Sequence, residues 1–181
     1  MSSPVVGSAG RPGPYNRRAV SALRFVYLGA LALWLGGLAG LGAVAAPVVF
    51  EVLGSALGGE GRVLAGATFG AMLARFHPVA IGCGVVMVVS LVAMALLGPR
   101  PRPFGARLAL VATMILLTLA VAGPIGRRVE VLQRATPGSI RALPAADARR
   151  AQFERLHGLA NALLGVNAAA ACLLLYWEAR H

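Results

Sequence analysis

"PVAIGCGVVMVVSLVAMALLG", Pro78 to Gly98, decides the fold class. The stretch carries no charged side chain, and as an α-helix it reaches about 30 Å, the thickness of a bilayer's hydrocarbon core. Phe25–Phe50, Leu108–Gly126 and Gly158–Trp177 are uncharged in the same way and long enough to cross. Glycine and alanine fill these windows beside leucine and valine, with no strand-like alternation. Lipid offers no water to unpaired backbone groups, so each window is predicted to be a helix. The whole chain agrees: its 181 residues are 58% hydrophobic and only 13% charged, a membrane composition.

The pattern predicts an all-α integral membrane protein, a four-helix bundle. Residues 1–18, rich in Ser, Gly and Pro, read as a disordered tail. Residues 19–178 read as one membrane domain with spans at about 22–50, 76–98, 106–126 and 154–177. Within it, Ile125, Val129 and Leu132 recur at helical spacing with arginines on the other faces. That predicts an amphipathic interfacial segment over 125–135. Arginines precede the first window and "AVAA" (Ala43–Ala46) resembles a cleavage site. The apolar run is too long for a signal core, however, and is expected to stay as an anchor.

Two pairs of segments suggest a parallel duplication of a two-helix unit. "AAPVVFEVL" (Ala45–Leu53) and "AGPIGRRVEVL" (Ala122–Leu132) each place a proline after small residues and end Glu-Val-Leu. "RFHPVA" (Arg75–Ala80) and "RLHGLA" (Arg155–Ala160) share arginine, histidine and alanine at the mouth of a span. Same-direction repeats are related by an axis along the membrane normal. The second and fourth spans then run the same way, and His77 and His157 belong to one membrane side.

The formal charge of +11 is entirely arginine. The arginines stand at span ends, where they meet anionic lipid. No basic stripe with aromatic platforms is present, which sets nucleic acid aside. Both flanks are positive; the first helix usually dominates, so both termini are expected in the cytoplasm, in a bacterial inner or plasma membrane. Cys83 and Cys172 lie inside spans at different depths, so a disulfide is not expected. "GGLAG" (Gly36–Gly40) puts Gly36 and Gly40 on one face, open to close packing. Trp34 is near mid-span and should find a partner for its indole N–H inside the bundle.

The histidines carry the chemical interest. Two imidazoles on parallel helices can hold one b-type haem from opposite faces. A small metal ion is the alternative, with Glu51 and Glu130 as further ligands if the segments after Pro47 and Pro124 fold back. A structural reading stays open beside both: a histidine can simply donate to a carbonyl freed by Pro78. Asn161, four residues after His157, is placed to orient that ring or to pack. Arg75, Arg155, Glu51 and Glu130 are expected to form ion pairs near this face. Asn167 reads as a packing residue. There is no C-x-x-C, no H-E-x-x-H and no phosphate loop, and no Asp, Glu or Lys lies within the four uncharged windows. No catalytic residue is assigned.

"TFGAMLARFHPVAIGC" (Thr68–Cys83), "QFERLHGLANALLGVN" (Gln152–Asn167) and "WLGGLAGLGAVAAPVVF" (Trp34–Phe50) together resemble the transmembrane protein 205-like family. The likeness covers roughly residues 22–177. It implies four spans and a multi-pass location, with no assigned activity. Three functions therefore fit the sequence. One is a b-type haem or metal protein using the histidine pair. Another is a non-catalytic accessory subunit, as a homodimer or in a larger complex. The third is a small-molecule or metal efflux component.

Overall fold

A computed structural model describes residues 17–98, 101, 103–136 and 138–180. The residues 1–16, on which most of the expected tail falls, lie outside it. The described residues are overwhelmingly helical, without strands, and the irregular ones fall chiefly in the connections between helices. Helix α1 spans Arg17–Ala39 and passes through a π-helical stretch, Gly40–Ala45, into α2, Ala46–Leu97. Helix α3, Phe104–Ala120, passes through a second π-helical stretch, Val121–Ile125, into α4, Gly126–Arg134. A 3-10 turn at Ile140–Ala142 leads to α5, Ala148–Ala179.

By length and composition, three continuous helical stretches among the described residues can cross a membrane: Arg17–Leu97, Phe104–Arg134 and Ala148–Ala179. The first is 81 residues long and does not run straight. At Gly58 the backbone takes φ 58° and ψ −125°, a combination that side-chain-bearing residues avoid. Beyond it the chain doubles back. Gly61 then faces the Leu53 carbonyl, Gly37 of α1 faces the Phe76 ring, and Trp34 faces Gly84. A hairpin of two helical legs results. No sequence signal marked Gly58 above its neighbours Gly54, Gly59 and Gly61.

The hydrophobic core lies between α1, the second leg of α2, α3 and α5. Tyr27, Leu31, Trp34, Met87, Leu91, Val111, Met114, Ala171 and Leu174 are wholly buried there. Two glycines set how closely the helices approach. A Cβ on Gly84 would stand 2.6 Å from Ile115 Cγ1 and 2.8 Å from Trp34 Cζ3. One on Gly37 would collide with the Phe76 ring. The expected contact glycines, Gly36 and Gly40, instead face outwards with open space beside them. One residue of phase, about 100° around the helix, decides this: Trp34 and Leu31 define the buried face of α1, and Gly36 and Gly40 lie off it.

The outer surface has the composition of the interior. Phe25, Leu33, Val44, Val89, Leu96, Leu116 and Val166 are all exposed. Such continuous apolar exposure is unstable in water and ordinary in lipid. The protein is a membrane-associated helical protein.

Candidate functional site

His77 sits on α2 immediately before Pro78, a proline inside the helix. Its side chain is buried, and its Nε2 has no hydrogen-bond partner among the described residues. The carbonyl expected to take its proton does not do so at Nε2. The layer around it is unusual. Gly84, seven residues deeper, touches both Trp34 and Ile115. Seven residues along each of those antiparallel neighbours lie Leu41 and Ala122. Both belong to the π-helical stretches. His77 therefore shares its level with two places where neighbouring helices widen from α to π geometry. Such widening leaves backbone carbonyls less tightly committed and recurs at functional positions.

His157 is placed differently. It is exposed on α5, with its ring stacked on Phe153 at a centroid distance of 5.8 Å and an interplanar angle of 6°. Asn161 is exposed too, one turn further on. Helices α2 and α5 are not a packed pair: α1 and α3 each contact both, so the two histidine-bearing helices hold diagonal corners of the bundle. One imidazole is enclosed and the other faces outwards. The structure does not bring the two into a common environment.

The charged residues named with them are also dispersed. Glu130 pairs with Arg134 on its own helix at 2.5 Å. Glu51, Arg75 and Arg155 are exposed and form no ion pair among the described residues. Among those residues no group of three or more His, Cys, Asp or Glu side chains is clustered to hold a metal ion. Cys83 is buried and Cys172 exposed, both as free thiols.

The strongest polar construction lies at the opposite end of the bundle, and the sequence reading did not find it. Glu178, near the end of α5, accepts from Arg24 Nε at 2.8 Å and forms an ion pair with Arg107. Arg24 Nη2 also donates to the Glu178 carbonyl at 3.0 Å, and Arg107 Nη2 to the Trp177 carbonyl at 3.3 Å. Arg107 is 2% exposed and Glu178 8%. One carboxylate thus ties α1, α3 and α5 together. A signal existed in the sequence: a lone acid closes the last apolar window on the side where arginines open the first and third. Reading those arginines only as lipid contacts hid it.

Deeper in the bundle, Asn167 Nδ2 donates to the Met114 carbonyl at 3.1 Å and to Thr118 Oγ1 at 3.0 Å. This fastens α5 to α3, since buried polar groups in apolar surroundings need partners. Trp34 Nε1 and Tyr27 Oη are buried without partners among the described residues. For Trp34 the expected acceptor is therefore not there, because its ring packs on Gly84 and the core.

A family model supplies the remaining finding: the Domain of unknown function (DUF4149) matches residues 29–137. The chain belongs to this family. The DUF4149 match takes in both π-helical stretches, the Gly58 reversal and His77, but stops short of α5 and therefore of His157, Asn161 and Glu178. It does not single out the transmembrane protein 205-like group. No curated protein and no solved structure matches the chain.

Proposed function

We propose that this DUF4149 protein is a four-span integral membrane protein acting as a non-catalytic accessory subunit, with the hairpin around Gly58 as its contact surface. The observation that carries this reading is the hairpin's exposed apolar surface. Counting inwards from Arg24, about 20 residues exhaust the hydrocarbon core near Val44. Counting back from Gly98, the same length ends near His77. Residues 46–75 then project beyond the bilayer, and Gly58 stands about 18 Å above Ala46 by helix rise. Outside lipid, this hairpin exposes Val48, Phe50, Val52, Leu57, Val63, Leu64 and Met72. A patch of that kind on the water side is the mark of a protein contact. The Gly58 reversal, which folds the longest helical stretch into two antiparallel legs, supports a reading with four crossings. The paired π-helical stretches, each close to a proline, favour the duplicated two-helix plan.

The test is photocrosslinking in native membranes from positions Val52 and Leu64. A discrete crosslinked species is expected from both, either a partner subunit or a second copy. Crosslinking to lipid alone, with the solubilised protein migrating as a monomer, overturns the reading.

The unpartnered Nε2 of His77 supports a second reading, in which this single imidazole binds a haem or metal ion. Purified protein would then show a Soret band or bound metal that His77→Ala abolishes and His157→Ala leaves in place. A preparation free of both after expression with haem and metal supplied ends that reading. Nothing in the geometry favours efflux over either.

A further inference from the structure

The geometry points to a binding site for an anionic phospholipid headgroup in the cleft between α4 and the start of α5. The cleft has a volume of about 360 Å³ and is lined by Arg127, Arg128, Val131, Leu132 and Gln152. Its position along the bilayer follows from α3. Arg107 and Arg127 are 20 residues apart on one continuous helical run, about 30 Å by helix rise, so they bracket the hydrocarbon core. Arg107 is engaged by Glu178 at one boundary. Arg127 and Arg128 stand at the other.

The charge around the cleft is uncompensated. The connection from α4 into α5 contains three acids, and each is taken by a local arginine. Glu130 pairs with Arg134 at 2.5 Å, Asp147 with Arg149 at 2.8 Å and Glu154 with Arg150 at 2.9 Å. Arg127 and Arg128 have no carboxylate partner among the described residues. The apolar lining selects among anions. Val131 is 66% exposed between these two cations. That is a poor arrangement for a free inorganic anion in water. It suits a phosphodiester whose charge lies between the guanidiniums while the carbon atoms of its headgroup cover Val131 and Leu132, one helical turn further from the hydrocarbon core. Gln152 adds a polar group that can bond a headgroup hydroxyl or ester oxygen. A metal cation finds no matching chemistry there.

This inference requires that α3 cross the bilayer and is independent of any partner on the hairpin. Purified protein in a neutral detergent would be titrated with phosphatidylglycerol, phosphatidylcholine and inorganic phosphate, with lipid retention read by native mass spectrometry. Retention of phosphatidylglycerol over phosphatidylcholine is expected. It should fall about thirtyfold in R127Q/R128Q, the effect of removing two basic groups beside an anionic headgroup. R127K/R128K should keep most of the binding, and R18Q, which removes an exposed arginine at the opposite end of the bundle, should leave it unchanged. Equal retention of the two lipids overturns the proposal, as does binding indifferent to R127Q/R128Q. Displacement of the lipid by millimolar inorganic phosphate overturns the lipid assignment in favour of a free anion.

Discussion

Replacing Glu178 with leucine removes the one acid that three helices share. Two arginines lose a partner, and their exposures set the cost. Arg24 has a side chain 44% exposed, so solvent and headgroups rescue it, and its pair contributes about 0–1 kcal/mol. Arg107 has a side chain 3% exposed and would keep a buried positive charge with only the Trp177 carbonyl beside it. Breaking a buried pair by removing one partner costs about 3–5 kcal/mol, because the remaining charge is uncompensated. The expected destabilisation of Glu178→Leu is therefore about 3–5 kcal/mol, nearly all of it through Arg107. The double variant R107M/E178L removes both charges and should regain most of that loss, since apolar replacement of a whole buried pair is often neutral or better. Equilibrium unfolding in mixed micelles, as sodium dodecyl sulfate displaces a neutral detergent, measures both. A single variant within about 0.5 kcal/mol of the parent would refute the argument, given the size a surface substitution normally has. A double variant no more stable than E178L would do the same, since it would show that the buried charge was not the cost.

Three further outcomes follow from the packing. Gly84→Ala should destabilise by about 1–3 kcal/mol through overpacking, because its Cβ would lie 2.6 Å from Ile115 and 2.8 Å from Trp34; adding Ile115→Val should recover part of this in the same unfolding assay. Gly58→Ala should cost about 1–3 kcal/mol from backbone strain alone, since open space surrounds the site, whereas Gly59→Ala, also in open space but within a helix, should be close to neutral. Asp147 caps α5 by accepting from the Arg149 backbone N–H at 2.8 Å. Its hydrogen bonds to the Arg149 side chain and backbone hold its carboxyl below the usual range. The cap is therefore complete above the unfolded carboxyl's pKa and fails as pH falls through the lowered one. Amide protection factors at residues 148–151, corrected for the intrinsic pH dependence of exchange, should fall in that acidic window, and Asp147→Asn should flatten this pH dependence.

Residue order alone established that this is a helical membrane protein. Uncharged runs such as Pro78–Gly98 admit no other stable arrangement in lipid, because the requirement to satisfy backbone hydrogen bonds is local to each segment. His77 could also be picked out locally, as a titratable group beside a proline at a span entrance. Three matters depended on which helices became neighbours. Helix direction puts His77 and His157 at one end of the bundle, but sequence position says nothing about which corners two helices occupy and so cannot join the two rings in one site. Their diagonal placement separates an enclosed ring from an exposed one. Glycine spacing showed that close packing was available on α1, but the face that packs was chosen by Leu31 and Trp34, so Gly37 and not Gly36 meets a neighbour. The joining of Arg24, Arg107 and Glu178 spans 154 residues of sequence and exists only because α1, α3 and α5 end together at one boundary. Local hydrogen bonding determines that each segment is a helix; the pairing of charges and rings far apart in the chain is decided by side-chain packing between helices.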